Sequence, residues 1–158
     1  MRRRGSELLV NWVNWVNWVN WVNLNTDEEG SEMELEQSYR DFTDLDLWKI
    51  ARELKKDIFE LVKKFPAEEK YRLADQMIRC SRSINANIAE GHGRYSFKDQ
   101  LHFCIISRGS FSELRNHFYD ALDCKYITEE EFKDFEQRIL RSVRILNGFI
   151  VHLRKKLM

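Results

Sequence analysis

The chain has 158 residues, 43% of them hydrophobic, and as many basic as acidic side chains. This length and composition favour one domain with a real core, and a formal charge of zero provides no overall basic excess that would establish a nucleic-acid partner. Charge is nevertheless uneven, because residues 37–158 hold 23 Lys and Arg against 19 Asp and Glu. Cys80, Cys104 and Cys124 show no CxxC spacing, which disfavours a disulfide framework or a zinc knuckle and is typical of the reducing cytoplasm.

The N-terminal segment is a low-complexity repeat. Residues 11–23 repeat Asn-Trp-Val four times, and a period of three fits neither an amphipathic helix nor a strand. The asparagines leave no apolar run for a signal peptide or a membrane span. With the acidic linker that follows, residues 1–36 are predicted to be a disordered extension of a domain at 37–158, and Met33 is a candidate natural start. The alternative is a tryptophan-rich arm that docks on a partner or a membrane interface.

Four amphipathic helices are predicted from Asp44 onward, each with apolar residues at steps of three and four. Pro66 is predicted to end the first helix and to begin the second. The second helix is predicted to end where Gly91 adopts a left-handed cap. Ser96 and Thr128 begin capping-box sequences that open the third and fourth helices. Because short connections force neighbouring helices to run antiparallel, the predicted fold is all-α, an up-and-down antiparallel four-helix bundle.

Small residues on the second and third helices predict that these two helices approach closely. They are Ser83, Ala86 and Ala89 on one helix and Ser107, Gly109, Ser110 and Ser112 on the other. Gly109, a poor helix former, predicts a contact that tolerates no side chain. Asn85 and Asn87 are either exposed, or at least one of them bridges helices or subunits.

Several ordered signatures resemble the small bacterial proteins encoded within intervening sequences of 23S ribosomal RNA genes. The signatures are Asp44-Leu-x-Leu-Trp-Lys49, Phe65-Pro-x-x-Glu69, Gln76, Ser83-Ile-x-x-Asn87-Ile-Ala-Glu-Gly91, Arg94 and Gly109-Ser-x-x-Glu-Leu114. The resemblance implies a four-helix bundle, a homopentameric barrel of such bundles and no established enzymatic activity. The family is also similar to the accessory protein of diversity-generating retroelements, which binds reverse transcriptase and nucleic acid.

Two groups of basic residues predict binding of RNA or DNA. The group on the second helix and the loop after it is Arg72, Arg79, Arg82, Arg94 and Lys98, and the group on the last helix is Arg138, Arg141 and Arg144. Arginines at these spacings share helix faces and suit a phosphate backbone, and a pentamer would repeat each group. No base-reading motif accompanies them, so the predicted binding tolerates sequence. The ordinary alternative is a set of solvated surface arginines.

No catalytic residue, cofactor or metal site is predicted, and the protein is expected not to be an enzyme. A di-iron bundle needs two Glu-x-x-His pairs, whereas this chain offers only Glu113 and His117, four residues apart. His92, in a predicted glycine-rich loop, is a candidate anion contact or base, although a lone loop histidine is more often solvated. A cysteine and histidine pair would depend on a proximity that sequence does not show.

The competing function is an oligomeric adaptor that binds a protein partner. Aromatic residues between Phe103 and Phe149 exceed what one narrow apolar stripe per helix requires, and a second apolar face commonly marks a subunit contact. These residues are Phe103, Phe111, Phe118, Tyr119, Tyr126, Phe132, Phe135 and Phe149. Core packing accounts for most of them.

Overall fold

The structure of the protein is a computed structural model, which describes residues 41–94 and 96–158. The Asn-Trp-Val repeat, the acidic linker and Met33 lie outside the described residues. Within them are four α-helices, α1 (Asp46–Leu61), α2 (Leu73–Gly93), α3 (Phe97–Asp123) and α4 (Glu129–Lys156). Short 3-10 turns cover Phe42–Asp44, Val62–Lys64 and Ala67–Glu69, and the described residues include no strand. The predicted all-α bundle is confirmed.

Each helix buries one stripe of its surface. On α1 the buried residues recur at steps of four and three, from Leu47 through Leu54 and Ile58 to Leu61. The largest side chains of the core that are almost wholly buried include Phe111 and Phe118 on α3 and Leu146 on α4. Burial of this apolar surface is the main term that stabilises the bundle.

The second helix begins later than predicted. Pro66 is followed by the 3-10 turn Ala67–Glu69, and α2 starts only at Leu73. The Glu69 carboxylate explains this boundary, because it accepts a hydrogen bond from the Leu73 backbone N–H at 3.1 Å and so satisfies a free donor of the first turn. The same carboxylate accepts a hydrogen bond from the Tyr126 hydroxyl at 3.2 Å, which ties this turn to the α3–α4 connection.

The prediction that Gly91 ends α2 as a left-handed cap is wrong. The helix continues through Gly91 to Gly93, and no glycine among the described residues has a positive φ. Gly91 is buried, and a Cβ added to it would lie 3.0 Å from the Cβ of Phe103 on α3. The glycine therefore permits close packing of two helices instead of reversing the chain.

Caps at the other helix ends follow the sequence more closely. The Thr128 side chain accepts a hydrogen bond from the Glu131 N–H while the Glu131 side chain accepts one from the Thr128 N–H, a complete capping box. Ser96 accepts from the Asp99 N–H, but the shorter Asp99 side chain accepts from the Ser96 hydroxyl instead of the cap backbone. The end of α3 carries Lys125 at a φ of 59°, the left-handed position usually taken by glycine.

Side-chain contacts give the order of the helices around the bundle. Asn85 joins α2 to α1, Ser83 joins α2 to α3, Arg115 joins α3 to α4, and Arg138 joins α4 to Asp57 on α1. Neighbouring helices along the chain are thus neighbours in space, and α2 and α4 lie diagonally across the core. None of the helices in the described part of the chain is long and apolar enough to cross a membrane.

Candidate functional site

The contact surface between α2 and α3, here called the α2–α3 seam, is built from small and polar side chains. The Ser83 and Ser110 hydroxyls are 2.9 Å apart and share a hydrogen bond, and the Ser107 hydroxyl donates to the Ile84 carbonyl at 3.3 Å. The two helices are antiparallel, so these bonds fix a register in which earlier residues of α2 lie opposite later residues of α3. This register decides which polar groups meet further along the seam.

Not every small residue belongs to this seam. Gly109 and Ser112 are exposed on α3, and a Cβ added to Gly109 would meet nothing within 4 Å. The expected contact that excludes a side chain at Gly109 is therefore absent within the described part of the chain, and Gly91 fills that role instead. Ala86 is likewise exposed on α2.

The two asparagines have different roles. Asn85 is buried and donates from its amide to the Trp48 carbonyl on α1 at 3.2 Å, so the predicted bridge between helices is confirmed for this residue. Its amide oxygen is buried and finds no hydrogen-bond partner among the described residues. Asn87 bonds within its own helix, to the Ser83 carbonyl at 2.8 Å and the Ser83 hydroxyl at 3.1 Å.

The basic residues predicted around α2 are spread along its whole length. Arg72 is exposed just before the helix, and Arg79 is exposed with a long ion pair to Asp75 at 3.8 Å. Arg82 lines an open groove of about 490 Å³ between α1 and α2, together with Lys55 and the half-exposed ring of Phe59. The same groove holds the carboxylates of Asp57 and Glu60, so its charge is mixed.

At the other end of α2, Arg94 already has partners. It forms an ion pair with Glu90 at 2.5 Å and its guanidinium lies 5.1 Å from the centre of the Phe103 ring. Lys98 is exposed in the first turn of α3. His92, predicted to lie in a loop, is instead part of the last turn of α2.

The basic residues of α4 divide into one that is paired and two that are open. Arg138 forms ion pairs with Asp57 and Asp134 and lies over the Phe135 ring. Arg141 and Arg144 are exposed, and neither has an ion pair among the described residues. Because α2 and α4 are diagonal in the bundle, the eight predicted residues do not form one continuous patch within a chain.

A second constellation lies on the α2–α3 seam, and it was not predicted. The Cys80 thiol, a Glu113 carboxylate oxygen and a His117 ring nitrogen all lie within 4.8 Å of one another. An open cleft of about 270 Å³ adjoins them, lined by Cys80 and Glu113 together with Gln76, Arg79 and Ser83. Burial, followed by a hydrogen bond with Glu113, raises the pKa of the Cys80 thiol to about 12, so the sulfur is protonated at neutral pH.

Comparison with known families identifies the chain. A family model described as "23S rRNA-intervening sequence protein" matches residues 43–148, about two thirds of the sequence. The chain belongs to the 23S rRNA-intervening sequence protein family. The resemblance drawn from the sequence signatures is thus confirmed.

A solved structure supports the fold of this 23S rRNA-intervening sequence protein. It is a crystal structure of a protein of unknown function from the S23 ribosomal protein family of Bacteroides thetaiotaomicron VPI-5482. The two share 23% sequence identity with a TM-score of 0.62, over 66% of this chain and 94% of the other. A search of curated proteins found no match. These comparisons show the family and the fold of the chain.

Proposed function

We propose that this 23S rRNA-intervening sequence protein is a non-enzymatic homo-oligomer that binds nucleic acid through exposed basic side chains, without strong sequence specificity. The observation that carries the proposal is the second half of α4. Residues 137–158 contain six Arg and Lys and no Asp or Glu. Arg141 and Arg144 stand one turn apart on α4, are exposed to solvent, and have no ion pair in the described part of the chain.

Such a surface suits phosphates more than it suits bases. Arginine offers a planar fork of donors that matches phosphate oxygens, and phosphate contacts fix position without reading sequence. The basic last turn, Arg154 to Lys156, also complements the negative end of the α4 dipole, so these three residues have a local role as well. Arg141 and Arg144 lie in the middle of α4, far from either end, where that explanation does not apply.

Assembly would multiply this charge. Exposed apolar side chains support a subunit contact, because Ile105 on α3 and Val151 on α4 are 39% and 51% exposed. Arg108 donates a hydrogen bond to Asn147 between these helices at 3.4 Å, and one turn from that pair along each antiparallel helix are Ile105 and Val151. We propose that this apolar pair belongs to the interface of a homopentamer, as the family resemblance implies.

The test is a salt series of RNA binding by the full chain. A structured ribosomal RNA fragment and an unrelated RNA of the same length are titrated, and binding is followed by fluorescence anisotropy. Similar affinity for both RNAs and a steep loss of affinity with salt are expected. Arg141→Glu with Arg144→Glu should weaken binding to both RNAs and lower the salt slope by about two, one for each lost phosphate contact.

The matched control reverses two lysines that already have partners. Lys63→Glu with Lys133→Glu makes the same change in charge at residues that pair with Glu60 and Glu129. Binding should change far less in this control than in the arginine variant. Equal losses in the two variants, or an affinity indifferent to salt, would contradict a basic site on α4.

The second candidate is a protein adaptor, which the exposed apolar residues of α3 and α4 also support. Light scattering after size exclusion, with and without RNA, distinguishes a nucleic-acid-binding oligomer from a protein adaptor. A salt-resistant oligomer that ignores both RNAs would favour the adaptor. Ile105→Asp with Val151→Asp should dissociate the oligomer, and an unchanged mass would show that the interface lies elsewhere.

A further inference from the structure

Three side chains of different chemistry converge on the α2–α3 seam. Cys80 comes from α2, Glu113 and His117 come from successive turns of α3, and their sulfur, oxygen and nitrogen atoms lie within 4.8 Å of one another. We propose that Cys80, Glu113 and His117 form a binding site for one zinc ion per chain, with Asp120 holding the histidine ring in its binding orientation. The site is independent of the basic surface on α4.

The ligand set fits zinc in number and kind. Zinc is bound by cysteine sulfur, histidine nitrogen and carboxylate oxygen, and sites with three protein ligands leave a fourth position for water. Bond lengths of about 2.0–2.3 Å to a central ion would bring the ligand atoms to about 3.3–3.8 Å from one another. His117 Nε2 lies 3.9 Å from a Glu113 oxygen, which is slightly beyond this range, and all three ligand atoms lie within 4.8 Å of one another, so rotations of the side chains would close the site.

The histidine is already oriented for this role. Its Nδ1 lies 3.2 Å from an Asp120 carboxylate oxygen, which accepts a hydrogen bond from the Nδ1–H group of the neutral ring. That tautomer leaves the Nε2 lone pair free. Nε2 is buried, has no hydrogen-bond partner among the described residues, and lies 3.9 Å from a Glu113 oxygen. A carboxylate that holds the far nitrogen of a histidine ligand is the usual second layer of a zinc site.

The seam itself explains why these residues meet. The hydrogen bond between Ser83 and Ser110 fixes the register of the antiparallel helices. Cys80 lies three residues before Ser83 on α2, and Glu113 lies three residues after Ser110 on α3. Because the helices run in opposite directions, these two steps lead to the same place on the seam. The sulfur of Cys80 and a carboxylate oxygen of Glu113 already lie within 4.8 Å of each other without a metal. His117 follows one turn after Glu113 and completes the triangle.

Binding has a simple proton balance. The zinc ion replaces the thiol proton of Cys80, which is released to solvent, and no other bond is broken. Glu113 then ligates the ion through a carboxylate oxygen, and His117 ligates it through Nε2. The open cleft of about 270 Å³ beside Cys80 admits the ion and the water of the fourth position. Arg79 lines the same cleft, and its positive charge opposes the ion.

A cysteine nucleophile is the other use of a sulfur and histidine pair, and the geometry disfavours it. Cys80 is only 3% exposed, and its burial, followed by the influence of the nearby Glu113 carboxylate, raises the pKa of the thiol, so the sulfur stays protonated at neutral pH. Reactive cysteines instead have a lowered pKa and an accessible sulfur. A metal ion overcomes this protonation because it binds the thiolate directly.

The experiment titrates the metal-free full chain with Zn²⁺ against a chelator of known affinity, and repeats the titration with Co²⁺ as a spectroscopic probe. One ion per chain is expected, with a rise in Tm and, for Co²⁺, a sulfur-to-metal charge-transfer band with the intense visible absorption of a tetrahedral ion. Residues 1–40 contain no Cys or His, so a thiolate band reports on the bundle. A wild-type protein that binds Co²⁺ without this band overturns the proposal.

Variants identify the ligands. Cys80→Ser and His117→Gln should each weaken Zn²⁺ binding by at least about 100-fold, and Asp120→Asn by about 10- to 100-fold. The matched controls are Cys124→Ser and His102→Gln, which alter an exposed cysteine and an exposed histidine outside the cluster and should leave affinity unchanged. Circular dichroism verifies that each variant is folded. Zinc affinity that is equal in Cys80→Ser and Cys124→Ser would overturn the site.

Discussion

The two faces of α3 pack by opposite means. Toward α2 it presents serines and receives the bare backbone of Gly91. Among the described helices, the backbones of α2 and α3 approach one another most extensively. Toward α4, helix α3 presents aromatic rings. The Phe118 ring is stacked on the Phe135 ring and the Tyr119 ring is tilted against the Phe132 ring, each pair with 4.8 Å between ring centroids. One seam is specified by hydrogen bonds and close approach, and the other by apolar volume.

The two faces of α3 therefore contribute to different properties of the protein, one to stability and the other to a candidate binding site. A large ring buries more apolar surface than a small side chain, so truncation of a ring on the α3–α4 seam is expected to lower the free energy of unfolding more than truncation of a serine on the α2–α3 seam. Small side chains leave polar atoms at a helix contact within reach of ligands, so the α2–α3 seam is where the cysteine, carboxylate and imidazole groups gather. The same helix thus supports the bundle on one side and a candidate site on the other.

The largest expected effect comes from the aromatic seam. Phe118→Ala should lower the free energy of unfolding by about 3–5 kcal/mol, because a wholly buried ring is replaced by a cavity next to Phe135. Urea unfolding followed by circular dichroism measures the change. The control Tyr71→Ala removes a ring that is 81% exposed and should change stability by less than about 0.5 kcal/mol. A loss below 1 kcal/mol at Phe118 would show that the seam does not depend on ring volume.

A smaller loss is expected where the helices approach closely. Gly91→Val should destabilise the bundle by about 1–3 kcal/mol, because even a Cβ at this position lies 3.0 Å from Phe103 and two further methyl groups force the helices apart. Gly93→Val is the matched control two residues later, where a Cβ would meet nothing within 4 Å. Similar stability of the two variants would contradict close packing at Gly91.

The hydrogen bond across the α2–α3 seam should contribute about 1 kcal/mol. A double-mutant cycle of Ser83→Ala and Ser110→Ala isolates the pair, whose hydroxyls are 2.9 Å apart. Each single change leaves one hydroxyl without its partner across the seam, so the double variant should be less destabilised than the sum of the two. Strict additivity would mean that the two serines do not interact in solution.

Sequence patterns predicted the parts of this fold that depend on local chemistry. The Thr128 capping box and the four apolar stripes need only residues close together in the chain, and both were predicted correctly. The start of α2 was misplaced because the stabilising Glu69 carboxylate acts on Leu73 from a turn before the helix. Gly91 was misread because a glycine near a helix end serves equally as a left-handed cap or as a site of close approach, and only the position of Phe103 decides.

The two candidate sites differ in the same way. The basic residues of α4 are visible in the sequence because a run without Asp or Glu is a property of consecutive residues. The proposed zinc-binding cluster is not visible there, because Cys80 and Glu113 are 33 residues apart and meet only through the register of two helices. Glu113 and His117 are recognisable in the sequence as a step of four residues, whereas Cys80, the third residue of the cluster, lies on the other helix.

The smallest expected effect is a pH dependence that belongs to the aromatic seam. Glu136 accepts hydrogen bonds from Arg115 at 2.6 Å and from Tyr119 at 3.0 Å, and the Arg115 bond first, then the Tyr119 bond, hold the pKa of Glu136 below its ordinary value of 4.5. A lowered folded-state pKa stabilises the protein above the unfolded value, and this contribution is lost as pH falls through the folded value. Glu136→Gln should therefore reduce stability at neutral pH and make the loss of stability below about pH 4.5 shallower.

Urea unfolding between about pH 7 and about pH 3 tests this, at low and at high salt. The control Glu53→Gln removes a carboxylate whose ion pairs stay within α1, and it should change stability by less than about 0.5 kcal/mol. Because Arg115 is partly exposed, salt should shrink the difference between wild type and Glu136→Gln. If Glu136→Gln and wild type lose stability equally as the pH falls, the ion pair between Arg115 and Glu136 contributes nothing to the stability of the α3–α4 seam. The two faces of α3 would then differ only in the volume of their side chains.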